Sequence, residues 1–175
     1  MQRKAERVNA RRKTSMPYVT SEMTSIMERV GHDIDDREMV ESMHFSPTAL
    51  TMVRHVMMTG GTIVTDTTLT MGDIDREMAD KLGVSVRCFI DDPQIMEIAE
   101  QKRVTRAEVA LDFALSLPGL KLLAVGSAPM ALNRLLQRVQ TDPPADVVVL
   151  AAPPGFDSVV QANERAWERK IPALV

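Results

Sequence analysis

The chain has 175 residues and a mass of 19.4 kDa, and 45% of its residues are hydrophobic while 26% are charged. This composition excludes extended disorder and suits one ordinary domain, because a chain of this length buries roughly 70% of its unfolded surface. Aromatic residues make up only 3% of the chain, whereas methionine occurs 13 times. We therefore expect an aliphatic core in which methionine fills the gaps.

Charge is unevenly distributed along the chain. Residues 1–13 hold six basic side chains and one acidic one, whereas the whole chain has a net charge of −3, so the remainder is acidic. A nucleic-acid surface needs basic side chains along a groove and aromatic side chains for stacking, so we expect no nucleic-acid partner. Residues 1–17 are interpreted as a flexible basic segment, and residues 18–175 as one domain.

Membrane and metal functions are not predicted. No apolar run reaches the ~20 residues that cross a bilayer, and no signal-peptide pattern opens the chain, so we expect a cytoplasmic protein without a membrane partner. The single cysteine, Cys88, cannot form an internal disulfide. A three-histidine metal site would need all of His32, His44 and His55, and His55 falls within a helical stripe, so we expect no metal site.

Apolar runs of strand length alternate with amphipathic runs of helix length. Ser46 and Pro47 predict the N-cap and first turn of a helix that ends at Gly60-Gly61. The apolar positions expected to face inward on this helix are Leu50, Val53 and Met57. Its methionines Met52, Met57 and Met58 are interpreted as core, with a dimer surface as the alternative. The predicted strands are Thr62–Thr65, Val84–Ile90, Leu122–Val125, Asp146–Ala152 and Ile171–Val175.

The predicted helices between these strands carry clear start signals. Asp73–Lys81 is expected to form an exposed helix, and Asp91-Asp92-Pro93 predicts a cap with proline near a helix start. Thr105 and Glu108 match the capping box of a helix that ends at Pro118-Gly119. The remaining helices are predicted from Pro129 to about Val139 and over Asp157–Arg169.

Four or five such βα units predict a three-layer α/β/α sandwich with a mostly parallel sheet and right-handed crossovers. Ligands of these sheets bind beyond the carboxyl ends of the strands. The residues expected there are Asp66, Asp91, Gly126, Ser127 and the turn Pro153–Phe156. The sequence lacks GxGxxG after a strand, GxxxxGK[ST], HExxH and GxSxG, which disfavours the enzyme classes that use these motifs.

Five motifs in chain order, between about Met23 and Val175, resemble those of the precorrin-8X methylmutase family. Arg29-Val30-Gly31-His32 and His44-Phe45-Ser46-Pro47 resemble the family's Val-x-His and Val-Phe-Ser-Pro at the same spacing. Ala124 to Leu132 is similar to its Ala-Ile-Gly-Asn-Ala-Pro-Thr-Ala-Leu. The other motifs, which resemble the family's Gly-Ala-x-Ile-x-x-Asp, Thr-Arg and Pro-Val-Gly-Phe, are Gly60 to Asp66, Thr105-Arg106 and Pro153 to Phe156.

The resemblance implies an isomerase that moves a methyl group from C-11 to C-12 of a corrin-ring precursor in cobalamin biosynthesis. It also implies that no cofactor is used, and that the protein is a homodimer with its sites near the subunit interface. The family's proton-handling histidine falls on His32. A histidine suits this step because it exchanges protons near neutral pH, and protonation of a pyrrolic nitrogen favours the migration.

The implied substrate carries several carboxylates, so the site should offer hydrogen-bond donors. The residues that match the family's binding positions are Asp66, Arg106, Gly126, Ser127 and Gly155. All but Gly155 have a plain structural alternative: Arg106 is an ordinary surface arginine, Ser127 and the amides after Gly126 only cap a helix, and Asp66 caps the helix that follows it.

The chain also departs from the family pattern. It stops at Val175, where the family continues with Gly-Arg-x-Gly-Gly-Ser, and Gln161-Ala162-Asn163 stands where the family has Glu-Ser-Lys. Ser127 stands where the family has Asn. These departures define the alternative function, a paralogue that binds a tetrapyrrole or corrinoid without catalysis. A structural protein that docks through its basic segment is the third hypothesis.

Overall fold

A computed structural model of the chain describes residues 20–35, 40–41, 43–141, 144–151 and 172–174. The chain divides into two compact units, residues 1–44 and residues 45–175, and each is described by itself. The single domain expected over residues 18–175 stays a prediction. The basic segment 1–17 lies outside the described residues.

In the described part of the first unit, a long helix, α1, spans Ser21–Ile34. Thr20 caps its start, because the Thr20 hydroxyl accepts a hydrogen bond from the backbone N–H of Met23 at 3.2 Å. The helix ends at Asp35, which adopts the left-handed conformation at φ 48°. The sequence patterns used above did not predict this helix.

The second unit is built on a parallel sheet, as predicted. Its strands are β1 Thr62–Thr65, β2 Ser85–Cys88, β3 Lys121–Val125, β4 Val147–Ala151 and β5 Ala173–Leu174. They lie in the order β2-β1-β3-β4-β5, and every pair is parallel. Each lies within or close to a predicted apolar run. The strands are largely buried except for the edge strand β2, whose residues are exposed or half-buried.

The helices of this unit cover both faces of the sheet. They are α2 Ala49–Met58, α3 Thr68–Gly72, α4 Arg76–Lys81, α5 Pro93–Lys102, α6 Arg106–Ser116 and α7 Pro129–Thr141. One face of β1, β3 and β4 packs against α6 and α7, and α2 packs against β3, β4 and β5 from the other face. The α/β class and its flanking helices are confirmed.

Two predicted helix starts are confirmed in atomic detail. The Asp92 side chain accepts from the N–H of Gln94 at 2.8 Å, and Pro93 occupies the first turn of α5. Thr105 and Glu108 form the predicted capping box of α6: each side chain accepts from the other's backbone N–H. The Glu108 carboxylate also accepts from the Thr105 hydroxyl at 2.7 Å, and this bond, followed by the one from the Thr105 backbone N–H, lowers the pKa of Glu108.

The predicted start of the helix after Ser46 is wrong. Helix α2 begins at Ala49, and the Ser46 hydroxyl instead accepts a hydrogen bond from the backbone N–H of Ala173 at 2.9 Å. The fully buried positions of α2 are Ala49 and Val56, whereas the three positions expected to face inward, Leu50, Val53 and Met57, are only partly buried.

The expectation of a methionine-filled core is also wrong. Among the described residues Met23 is the only buried methionine, and the fully buried large apolar side chains are leucine and valine. Met58, interpreted as core, is 78% exposed. The helix predicted over Asp73–Lys81 is present as α4, which begins later, at Arg76, because Asp75 caps it; the short helix α3 before it, capped by Thr67, was not predicted.

Helices α6 and α7 are joined by a carboxylate between two guanidinium groups. Asp112 of α6 accepts from Arg134 Nε at 3.1 Å and Nη2 at 2.6 Å, and it forms an ion pair with Arg138, whose Nε is 3.0 Å from Oδ1. The hydrogen bonds to Asp112 raise the pKa of Arg134. Because Asp112 of α6 contacts two arginines of α7, these contacts fix the position of one helix relative to the other over the sheet.

Some predictions fall outside the described residues: the turn Pro153–Phe156, with Gly155, and the helix Asp157–Arg169. Of the helices in the described part of the chain, none is both long and apolar enough to cross a membrane.

Candidate functional site

The carboxyl ends of β1 and β3 bring together three of the residues predicted for the site. Thr65, at the end of β1, pairs in register with Ala124 of β3, so Asp66 lies beside the turn that begins at Gly126. The backbone N–H of Asp66 donates to the Ala124 carbonyl at 3.0 Å and continues the pairing by one residue. The parallel register therefore places Asp66, Gly126 and Ser127 at one edge of the sheet.

The Asp66 side chain caps helix α7. Its Oδ2 accepts from the backbone N–H groups of Gly126, Ser127 and Ala128 at 3.1, 2.8 and 2.5 Å. A carboxylate is favourable here because the start of a helix carries unpaired N–H groups and a partial positive charge. Asp66 thus caps α7, and not the helix that directly follows it in the chain, which Thr67 caps.

Three hydroxyl groups lie next to this cap, and we call Thr67, Thr70 and Ser127 the hydroxyl cluster. Thr67 Oγ1 is 2.6 Å from Ser127 Oγ and 3.1 Å from Thr70 Oγ1, and Thr70 Oγ1 is 3.3 Å from Ser127 Oγ. Thr67 Oγ1 also accepts from the Thr70 N–H at 3.2 Å. The threonines were not among the predicted site residues, although Thr67-x-x-Thr70 after a strand is a cap signal.

Gly126 is tightly enclosed by this cluster. A Cβ atom at Gly126 would lie 2.8 Å from Thr70 Oγ1 and 3.1 Å from Thr70 Cγ2. Only glycine allows the two segments to approach so closely. The amides after Gly126, predicted to bind a substrate carboxylate, donate to Asp66 in this structure, and so Ser127 offers its side chain as the available donor.

Arg106 lies at the start of α6 and pairs with another residue at the same end of the sheet. Its Nη1 donates to Asp91 Oδ1 at 3.1 Å, and both side chains are about half exposed. The start of a helix carries a partial positive charge, which disfavours a cation there, and the Asp91 carboxylate supplies the compensating negative charge. Its exposure leaves the guanidinium accessible, and its role toward a substrate stays a prediction.

His32 belongs to the first unit and lies in the last turn of α1. Its side chain is 89% exposed, and Nδ1 is 3.6 Å from Asp33 Oδ1. His44, in the same unit, is half-buried, and burial lowers its pKa. Gly155 lies outside the described residues, and within the described ranges no three metal-binding side chains come together.

Comparison with known proteins identifies the family. The family model for precorrin-8X methylmutase matches residues 3–175. The chain belongs to the precorrin-8X methylmutase family. Members of this family are isomerases of cobalamin biosynthesis that move a methyl group within a corrin-ring precursor, and the resemblance drawn from the five motifs is confirmed.

Named relatives support the same family. The cobalt-precorrin-8 methylmutase of Salmonella typhimurium is 30% identical over 151 residues, which cover 86% of this chain and 70% of that protein. The precorrin-8X methylmutase of Pseudomonas aeruginosa is 24% identical over 168 residues, which cover 94% of this chain and 80% of that protein.

Solved structures share the fold of this precorrin-8X methylmutase family member. A precorrin-8X methylmutase related protein superimposes with a TM-score of 0.77 at 20% identity, covering 95% of this chain and 87% of the other. The precorrin-8x methyl mutase from Thermus thermophilus superimposes with a TM-score of 0.76 at 23% identity, covering 99% of this chain and 84% of the other. The α/β architecture described above is therefore the fold of the family.

Proposed function

We propose that this chain moves a methyl group from C-11 to C-12 of a corrin-ring precursor, with His32 as the residue that transfers the proton. The observation that carries the proposal is the family match over residues 3–175, which spans His32 and the whole edge of the sheet at Asp66 and Ser127. The non-catalytic corrinoid-binding paralogue is the competing function, and the experiment below separates the two.

The chemistry asked of His32 is a reversible proton transfer. Its imidazole donates a proton to a pyrrolic nitrogen of the macrocycle, the methyl group migrates to the neighbouring ring carbon, and the proton returns to the imidazole. Histidine suits both halves of this exchange near neutral pH. The exposure of the side chain supports the proposal, since a ring nitrogen of a bulky substrate has to reach it.

The substrate is held through its peripheral carboxylates in this proposal. Arg106 supplies a guanidinium that is accessible beside Asp91, and Ser127 supplies a hydroxyl at the start of α7. Gly126 lets the turn that carries Ser127 pack closely against Thr70, and Gly155, in the turn predicted at Pro153–Phe156, is proposed as a further substrate-binding residue.

We further propose that the protein is a cytoplasmic homodimer. This proposal rests on the family resemblance, since the exposed apolar side chains Met58 (78%) and Leu69 (70%) precede and follow β1 and do not define one surface. Sedimentation equilibrium of the purified chain tests this. A mass of one chain at all concentrations overturns the homodimer.

The activity is tested by following the absorbance spectrum of precorrin-8X, and in a second arm of cobalt-precorrin-8, after mixing with the purified chain. We expect the spectrum to shift on binding and then to change with time into that of the product. His32→Ala is expected to bind and to lose turnover by about 10²-fold or more. His55→Ala is the matched control, since His55 is an exposed histidine of α2, and it should retain full turnover.

Each outcome has a clear meaning. Binding without conversion by the wild-type chain, in both arms, overturns the isomerase and favours the corrinoid-binding paralogue. Equal turnover of His32→Ala and His55→Ala overturns the role of His32 while leaving the isomerase in place. If neither precursor shifts the spectrum, the substrate assignment itself is wrong.

A further inference from the structure

We propose that Asp66 is a positioning residue for the substrate: through the backbone of residues 126–128 it fixes the Ser127 hydroxyl, without contacting the substrate itself. The inference rests on the proposed function, in which Ser127 is a substrate-binding residue. It assigns positioning to a buried carboxylate and substrate contact to the hydroxyl of the partly buried Ser127 at the same edge of the sheet.

The burial of Asp66 argues against direct contact with a substrate. The residue is 8% exposed, and its Oδ2 already accepts from three backbone N–H groups. Its Oδ1 is buried and finds no hydrogen-bond donor among the described residues. Its charge is therefore directed to the start of α7, not to the surface.

The three hydrogen bonds fix the backbone on which Ser127 stands. Hydrogen bonds from N–H groups to an ionised carboxylate are roughly twice as strong as neutral ones, and all three meet at one oxygen atom. The opposite side of the turn is held by Thr70, which leaves no room for a Cβ atom at Gly126. Residues 126–128 are thus held between Asp66 and Thr70, and Ser127 has a defined position.

The hydroxyl cluster also holds the Ser127 side chain in place. Thr67 Oγ1 accepts from the Thr70 N–H and lies 2.6 Å from Ser127 Oγ, the shortest contact of the cluster, in which either oxygen can donate. When Thr67 donates, the Ser127 O–H can donate to Thr70 Oγ1, at 3.3 Å, or to an acceptor oxygen on the substrate. Because the 3.3 Å contact is the weakest of the three, the substrate replaces it most easily.

A double-mutant cycle tests this arrangement. Asp66→Asn, Ser127→Ala and the double variant are compared with wild type in KM and kcat for precorrin-8X, and in Kd for the product-like hydrogenobyrinic acid. We expect each single variant to raise KM and Kd about five- to tenfold, with kcat within about twofold of wild type. Asp66→Asn should have no further effect in the Ser127→Ala background, since it acts through Ser127.

Asp146→Asn is the matched control, because it makes the same chemical change at the opposite, amino-terminal edge of the sheet. It should lower stability and leave KM and Kd unchanged. If Asp66→Asn fails to fold, Asp66→Ser takes its place, because the serine hydroxyl can still accept from one of the amides.

The outcomes separate the inference from the function on which it rests. Additive effects of the two substitutions on KM and Kd overturn the inference, and so does an Asp66 variant that resembles Asp146→Asn. A wild-type chain that neither binds the corrinoid nor converts the precursor overturns the proposed function instead.

Discussion

The hydroxyl of Ser46 accepts a hydrogen bond from the backbone N–H of Ala173, and the backbone N–H of Ser46 donates to the Ala173 carbonyl, both at 2.9 Å. The neighbouring residues Phe45 and Leu174 form an antiparallel bridge. The segment that opens the second unit therefore pairs with β5, a strand of only two residues. This pairing covers the outer edge of the sheet.

Ser46→Ala should destabilise the protein by about 1–3 kcal/mol, because it leaves the buried N–H of Ala173 without its acceptor. Ser116→Ala is the control, since the Ser116 hydroxyl bonds to Phe113 on the exposed surface of α6. Urea unfolding measures both variants. Equal unfolding free energies for the two would show that the Ser46 contact contributes nothing specific.

Gly126→Ala should destabilise the protein by about 1–3 kcal/mol, because the new methyl group would overlap Thr70 Oγ1. The double variant Gly126→Ala with Thr70→Ala removes that oxygen and should recover part of the loss. Thermal unfolding of the three variants checks this. The steric explanation is wrong if Thr70→Ala adds its own loss to that of Gly126→Ala.

The buried ion pair at the amino-terminal edge of the sheet predicts an asymmetry between its two partners. Lys121 is 1% exposed, and its Nζ donates to Asp146 Oδ2 at 3.1 Å. Asp146→Ala should lower the free energy of unfolding by about 1–3 kcal/mol, because it leaves the buried ammonium group of Lys121 without its partner. The loss is smaller than for a fully buried pair, since the Asp146 side chain is half exposed. Lys121→Met, which removes the charge and keeps the volume, should cost less in urea unfolding. The reverse order would contradict this account.

The capping box of α6 predicts a pH-dependent contribution to stability. Folding lowers the pKa of Glu108 from its ordinary value of 4.5, chiefly through hydrogen bonds with Thr105, so the folded state favours the carboxylate. The stability difference between wild type and Glu108→Gln should be about 0.5–2 kcal/mol at pH 7. This stability difference should shrink as the pH falls below 4.5, and it should be lost once the pH is below the lowered pKa of Glu108 in the folded state.

Glu97→Gln serves as the control, because it makes the same chemical change at Glu97, which accepts a hydrogen bond from Gln101 one turn away on the exposed face of α5. Its stability difference from wild type at pH 7 should be small. A Glu108→Gln difference that stays constant between pH 7 and pH 3 would exclude the carboxylate as its source.

Local signals were enough to predict much of this fold. The caps at Asp92 and Thr105 depend on residues two or three positions apart, and both are present as predicted. The buried strands were predicted from apolar runs too short for helices. Ser46-Pro47 carries an equally good cap signal, but the Ser46 hydroxyl bonds to Ala173, and a contact across 127 residues leaves no local trace.

The candidate site shows the same limit. The rule that ligands bind at the carboxyl ends of parallel strands selected Asp66, Gly126 and Ser127 in advance. That Asp66 binds the amides of residues 126–128 depends on the register of β1 against β3, which pairs Thr65 with Ala124. A register is set by the packing of the whole sheet, so the partner of Asp66 could not be predicted from the sequence.

The cap that Asp66 makes on α7 links the loops at this edge to β1 and β3, two inner strands of the sheet. Amide protons in most surface loops exchange with solvent through local opening that costs little free energy. For the amide protons of residues 126–128 to exchange, the Asp66 carboxylate must separate from α7, which disturbs the end of the β1–β3 pairing. Their exchange with deuterium should therefore follow the unfolding of the sheet and not the fluctuation of a loop.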